Sequence, residues 1–248
     1  MRMANEHVPR VPAATRVYAV GDIHGCDNLL ANLHRQILED ADAAGSGRRV
    51  VVYLGDYVDR GPASASVAET LLAGPLPGFE VRTLKGNHED MLLRFLDGQP
   101  VGDIWLMNGG TATLASYGVD AATTLSNQGV ATGLESVRRE FQEAIPATHL
   151  AFYRGLVPMY REGDYVFVHA GVRPGRSLEE QGEEDLMWIR QPFLVSEQDF
   201  GAVIVHGHSI DFAPQVRPNR IGIDTGAFAT GRLTCLVLEG SERSFLST

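Results

Sequence analysis

Five short apolar runs rich in β-branched residues each end in Asp, Asn or His beside a glycine, and this repeated ending constrains the fold more than any other feature of the chain. The runs are AVGDIHG (19–25), VVVYLGDYVDRG (50–61), VRTLKGNHED (81–90), YVFVHAG (165–171) and AVIVHGHS (202–209). One such ending reads as ordinary turn punctuation, because Gly and Asp commonly close strands. Five of them predict five strands that deliver ligand-type side chains to one edge of a sheet. Ligands in open α/β sheets gather outside the carboxyl ends of strands, where these residues would fall.

The segments between the runs agree with an α/β fold. Residues 27–44 carry Leu29, Leu30, Leu33, Ile37 and Leu38 on one face of an expected amphipathic helix, and residues 62–72 and 88–96 read as two more. Strand, motif loop and helix therefore repeat three times in the first hundred residues. Residues 98–163 lose the alternation and read as a mostly helical insertion without a core of its own. The segment RIGIDTGAFATGRLTCLVLE (220–239) predicts two antiparallel strands joined through Gly226 and Gly231. Residues 1–15 are expected to form a flexible arm, and residues 16–248 one domain.

The function classes open to the chain are narrowed by its 248 residues, with 44% hydrophobic, 21% charged and a formal net charge of −10. These values describe a globular protein, and no apolar run approaches a membrane span. The negative balance argues against a nucleic-acid partner, so neither nucleic acid nor membrane is expected, and a cytoplasmic location follows by default. Cys26 and Cys235 supply neither a disulfide framework nor a C-x-x-C spacing.

Asp22, His24, Asp56, Asn87, His169, His206 and His208 form a donor set suited to Mn, Fe or Zn. That is too many protein ligands for one ion. Two divalent ions about 3.5–4 Å apart, sharing a carboxylate, would use them while leaving positions for water and substrate, as in phosphoryl transfer. Arg60 and Arg190 offer planar forks for phosphate oxygens. His88 is spare as a ligand and placed to protonate a leaving group, with Asp59 orienting its ring.

GDIHG, GDYVDRG, GNHE, HAG and the GH before Ser209, in this order, resemble the phosphoprotein phosphatase branch of the calcineurin-like metallophosphoesterases. WLMNGG (105–110), MWIR (187–190) and IDTGAFATGRLT (223–234) narrow the resemblance to the bacterial and bacteriophage type, the lambda phosphatase group. The resemblance implies two packed mixed β-sheets flanked by helices, with two metal ions, manganese first among the choices, at the sheet edge. It implies that Asp22 and His24 bind the first ion, that Asp56 bridges, and that Asn87, His169 and His208 complete the second. His88 then resembles the leaving-group acid backed by Asp59, with Arg60, Asn87 and Arg190 facing substrate. His206 falls outside the family pattern, and Ile210 stands where related diesterases carry the second His of a GHxH motif.

The expected activity is metal-dependent hydrolysis of phosphoserine and phosphothreonine in proteins or peptides. Symmetrical hydrolysis of diadenosine tetraphosphate is the alternative, since such hydrolases resemble this chain around GDIHGC and HAG. A catalytically silent phosphate-binding module ranks last, because every carried-over position is filled.

Overall fold

The protein is described by a computed structural model over residues 8–45 and 47–248. Strand β1 (Thr15–Val20) shows why two sheets must pack together. Its residues are buried on both faces: Val17 and Ala19 enter one core, Tyr18 and Val20 another. Strands alternate their side chains with period two, so a strand that is apolar on both faces needs a layer on each side.

In the first sheet, β1, β2 (Arg48–Tyr53) and β3 (Phe79–Thr83) run parallel, with Val17 opposite Val50 and Ala19 opposite Val52. The second sheet contains β4 (Met159–Glu162), β5 (Tyr165–Val168), β6 (Val203–His206), β7 (Gln215–Val216) and β8 (Arg220–Gly222), in the order β4-β5-β6-β8-β7. β9 (Thr234–Glu239) and β10 (Glu242–Ser247) complete the first as β10-β9-β1-β2-β3. Between the sheets lie Val17, Ala19, Val50 and Val52 from one and Phe167, Val203, Val205 and Ile221 from the other. Both sheets are mixed, as the sequence resemblance implies.

Helices α1 (Asp27–Ala44), α2 (Ser64–Leu72) and α3 (Asn87–Leu96) follow the first three strands and cover the outer face of the first sheet. Leu30, Leu33 and Ile37 of α1 are fully buried there, each contributing about 1.5–3 kcal/mol of hydrophobic stabilisation. The same layer receives α4 (Gly102–Trp105), a π-helical turn (Leu106–Gly110), α5 (Thr111–Ser116), α6 (Ala121–Gln128), α7 (Val130–Ala144) and α8 (Ala147–Arg154). Trp105, Leu114, Val137 and Phe141 from these elements join the α1–α3 core, so the 98–163 segment thickens a layer. Helix α9 (Glu183–Trp188) covers the outer face of the second sheet with Leu186. Among the described residues no helix is long and apolar enough to cross a membrane.

Two expectations need correction. β8 and β9 are not a hairpin: β8 pairs with β6 and β7, β9 with β1 and β10, and α10 (Ala227–Thr230) lies on the crossing between sheets. The local pattern specifies two strands but not their partners, which tertiary packing selects. Of the expected arm, residues 1–7 lie outside the described residues, whereas Val11 is buried and its N–H donates to Gly240 O at 3.0 Å. A Val that packs between the sheets and a paired backbone hold this stretch to the domain.

Candidate metal centre

The five motif endings converge on one edge. Asp22 follows β1, Asp56 follows β2, Asn87 opens α3 after β3, His169 follows β5, and His208 follows β6. Close backbone approach requires glycine between them: a Cβ on Gly207 would lie 1.9 Å from Asp22 Oδ1, and one on Gly61 would lie 2.1 Å from His24 O. His24, Asp56, Asp59, Arg60 and His208 all hold positive φ, between 47° and 71°. Ala14 is the other non-glycine residue with positive φ among those described. Strained backbone of this kind persists where the surroundings over-determine it, and here it is concentrated at the edge.

Asp56 sits at the centre, buried, with its two oxygens facing different rings. His24 Nε2 is 3.5 Å from Oδ2 and His169 Nε2 is 3.4 Å from Oδ1. Both rings are oriented alike: His24 Nδ1 is placed to donate to Val58 O at 2.8 Å, and His169 Nδ1 to Leu54 O at 3.0 Å. This anchoring fixes the tautomer and turns Nε2 toward the centre, as second partners of metal-ligating histidines do. Among the described residues, His24–Asp56–His88 and Asp56–His169–His208 are groups whose ligand atoms lie close enough to hold an ion. Asn87 Oδ1 lies 2.9 Å from both His169 Nε2 and His208 Nδ1, and Asp22 accepts from the His208 N–H at 3.0 Å.

The donor set fits divalent cations. Burial raises Asp22 well above the usual carboxylate range, and Asp224 and Asp56 nearby push it further. Asp56 is held well below that range against its burial, mainly by His169 and His88. Burial pushes His24 down to about 3 and His208 down to about 2, so both rings are neutral with a lone pair to offer. His208 Nε2 is buried without a hydrogen-bond partner among the described residues. His169 is the exception: burial lowers it, but Asp56 and Asp22 raise it to about 10, so a proton there supplies part of the positive charge that the buried acids call for and that cations in their midst would supply in its place.

His88, close to His24 and Asp56 through Nε2, is paired with a second carboxylate through Nδ1. Its Nδ1 lies 2.6 Å from Asp59 Oδ2, and its Nε2 faces Asp56 Oδ2 at 3.8 Å. Burial lowers the His88 pKa, but Asp56 and Asp59 more than reverse this and leave it above the ordinary histidine value. Arg60 is half-buried with Nη2 3.3 Å from His88 Nε2, while Arg190 is exposed and donates to Ser209 Oγ at 3.2 Å. His206 faces away, its Nδ1 3.0 Å from Gly207 O and its ring edge-on to Phe193, with burial pushing it down to about 4.

Four supporting residues were not singled out by sequence reasoning. Glu89, fully buried, accepts from the backbone N–H groups of Gly86, Asp56, Tyr57 and Val58 at 2.8–3.2 Å, so one carboxylate ties the second motif loop to the third. Burial raises its pKa to about 7, with Asp56 adding to the effect. Trp105 Nε1 donates to Asp59 Oδ2 at 2.9 Å and Thr113 Oγ1 to Asp59 Oδ1 at 2.6 Å, which is how the insertion reaches the site. Asp224, on the crossing between sheets, is buried near Asp22 and Asp56.

A buried carboxylate with an imidazole at each oxygen, a buried His–Asp pair and two nearby arginines fit a metal-dependent phosphoesterase. Comparison with known proteins agrees: residues 15–220 match the calcineurin-like phosphoesterase family, and the chain belongs to that family. It is 27% identical over 242 residues to the asymmetrical bis(5'-nucleosyl)-tetraphosphatase PrpE of Bacillus velezensis, covering 87% of this chain and 86% of that one. It is 30% identical over 232 residues to serine/threonine-protein phosphatase 2 of Salmonella typhimurium, covering 88% and 90%. A solved structure of a candidate diadenosine tetraphosphatase superposes with a TM-score of 0.65 at 22% identity, over 96% of this chain and 98% of that one, which shows a shared fold.

Proposed function

We propose that the protein is a metal-dependent phosphomonoesterase that releases phosphate from phosphoserine and phosphothreonine in cytoplasmic proteins. The observation that carries this reading is the buried His88–Asp59 pair. An alkoxide leaving from phosphorus requires a proton as the bond breaks, and a dedicated general acid supplies it. A nucleotide leaving from a polyphosphate chain departs as a stable phosphate and has little need of such an acid. The similarity to serine/threonine-protein phosphatase 2 supports the same substrate class.

On this reading Asp22, His24, Asp56, Asn87, His169 and His208 hold two divalent ions, manganese first. When bound, such ions supply an acidified water and a clamp on phosphoryl oxygens. The chain's own contribution follows from its geometry. Asp56, fixed from behind through its backbone by Glu89, stands between the His24 and His169 ring nitrogens and so sets the spacing of the two ions. Arg60 and Arg190 bind the non-reacting phosphate oxygens with planar N–H donors. His88 Nε2 gives its proton to the departing serine or threonine oxygen, and Asp59, through Nδ1, stabilises the imidazolium before transfer.

A second reading, asymmetrical cleavage of a dinucleoside tetraphosphate, draws on the similarity to PrpE and on the groove beside the site. Arg173, Arg176, Trp188 and Arg190 line that groove with Glu184 and Asp185; Arg173 and Arg176 are paired with Asp185, which leaves Arg190 and the Trp188 ring to meet a phosphate and a planar base. Symmetrical cleavage of the same compound is the alternative expected from sequence, and the similarity to PrpE adds the asymmetrical mode beside it. The test compares kcat/KM, with manganese supplied, for phosphoserine and phosphothreonine peptides and for diadenosine tetraphosphate. Preference for the peptides supports the first reading; preference for the dinucleotide overturns it in favour of the second.

A further inference from the structure

Arg60 is held without a carboxylate. Among the described residues it makes no ion pair, and the one polar contact of its guanidinium is Nη2 to His88 Nε2 at 3.3 Å. Its Cζ instead lies 4.8 Å from the ring centroid of Phe228, and that ring meets His24 edge-on at 5.4 Å. Phe228 is 38% exposed, so its burial alone gives little reason for an aromatic side chain at this position.

The backbone around Phe228 is firmly placed. Helix α10 is flanked by Gly226 and Gly231, both left-handed, with φ of 69° and 71°. The Gly226 N–H donates to Asp224 Oδ1 at 2.9 Å, and Thr230 Oγ1 donates to Thr225 O at 2.8 Å. The ring thus stands on a rigid turn beside a side chain with several rotatable bonds. An aromatic face attracts a guanidinium through its π cloud and leaves the in-plane N–H groups unused. A carboxylate would restrain Arg60 as well, but would occupy those donors and offset the charge needed for an anion.

We propose that Phe228 is a positioning residue, whose ring face holds the Arg60 guanidinium at the metal edge so that its N–H donors, apart from the Nη2 that reaches His88 Nε2, are free for a phosphoryl group. The inference rests on reading Arg60 as a phosphate-binding residue, and the same inference accounts for an exposed aromatic ring on the crossing between the two sheets.

The experiment measures the affinity of the manganese-loaded protein for inorganic phosphate by calorimetry, with bound metal and KM and kcat for p-nitrophenyl phosphate measured in parallel. Phe228→Leu should bind phosphate roughly 3- to 10-fold more weakly, the range of a partly exposed cation–π contact, with metal content unchanged and KM affected more than kcat. Phe228→Tyr should restore the wild-type affinity, because the face is retained. In an Arg60→Ala background, Phe228→Leu should have no further effect. Wild-type affinity in Phe228→Leu would overturn the proposal, as would failure of Phe228→Tyr to rescue. An undiminished effect of Phe228→Leu in the Arg60→Ala background would mean that the ring acts independently of Arg60. Unchanged phosphate affinity in Arg60→Ala alone would remove the reading on which the proposal stands, a failure distinct from the others.

Discussion

Asp59→Asn isolates the charge behind His88 while conserving volume. Asp59 is fully buried and accepts from His88 Nδ1 at 2.6 Å, Trp105 Nε1 at 2.9 Å and Thr113 Oγ1 at 2.6 Å. The neutral amide retains one oxygen acceptor and turns the other position into a donor, which Thr113 can accept by rotating its hydroxyl. What the imidazolium loses is a charge-assisted bond in a dry environment, and hydrogen bonds to charged groups contribute about 1.5–3 kcal/mol. If that stabilisation is realised as the proton moves to the leaving oxygen, kcat on a phosphoserine peptide should fall roughly 10- to 150-fold. An aryl phosphate, whose leaving group needs little protonation, should lose much less, and bound metal should be unchanged. The assay is steady-state turnover of both substrates with metal content measured on the same samples. Equal losses on the two substrates, or an unimpaired rate on the peptide, would refute the role given to this pair.

Direct removal of the acid in His88→Asn should lower turnover of serine phosphate by roughly 10²- to 10⁴-fold, again sparing aryl phosphates; coincident loss of metal would mark His88 as a ligand. Far from the site, His34 is 5% exposed with Nε2 2.8 Å from Tyr53 OH, and burial pushes its pKa down to about 4. The unfolded chain takes up a proton near the ordinary histidine value of about 6.5, while the folded chain resists until about 4. Stability should therefore be lost as pH falls through that window, by on the order of 3 kcal/mol from this group. Denaturant unfolding at pH 6.5 and pH 4.5 should show a smaller pH dependence in His34→Leu than in the wild type, and an equal dependence would exclude His34 as a contributor.

Much of the fold could be read from the sequence because its signals are local. The β-branched runs ending at Val20, Tyr53 and Val168 define strands by composition, and Leu30, Leu33 and Ile37 define α1 by spacing. The ligand-type residues could be read because each stands beside a glycine at a strand end. Features that depend on distant partners could not. Glu89 looks like an ordinary acid in a first helical turn, and only the folded chain brings the 56–58 backbone to it. Trp105 reads as core, which it is, but its indole N–H reaches a carboxylate 46 residues away in sequence. The positive φ of His24, Asp56, Asp59, Arg60 and His208 carries no compositional mark, since non-glycine residues are forced there by surrounding structure. β8 and β9 read as a hairpin in sequence because alternation cannot tell a turn within one sheet from a crossing between two.

The central claim is that Asp56 organises two metal ions at one sheet edge and that phosphoester hydrolysis depends on both. Metal stoichiometry and phosphate release should be measured together on wild-type protein and Asp56→Asn across a manganese titration. Two ions per wild-type chain are expected, with turnover that appears only as the second site fills and with loss of both second-ion binding and activity in Asp56→Asn. An Asp56→Asn protein that binds two ions and keeps most of its turnover would contradict the claim, as would a wild-type chain fully active with one.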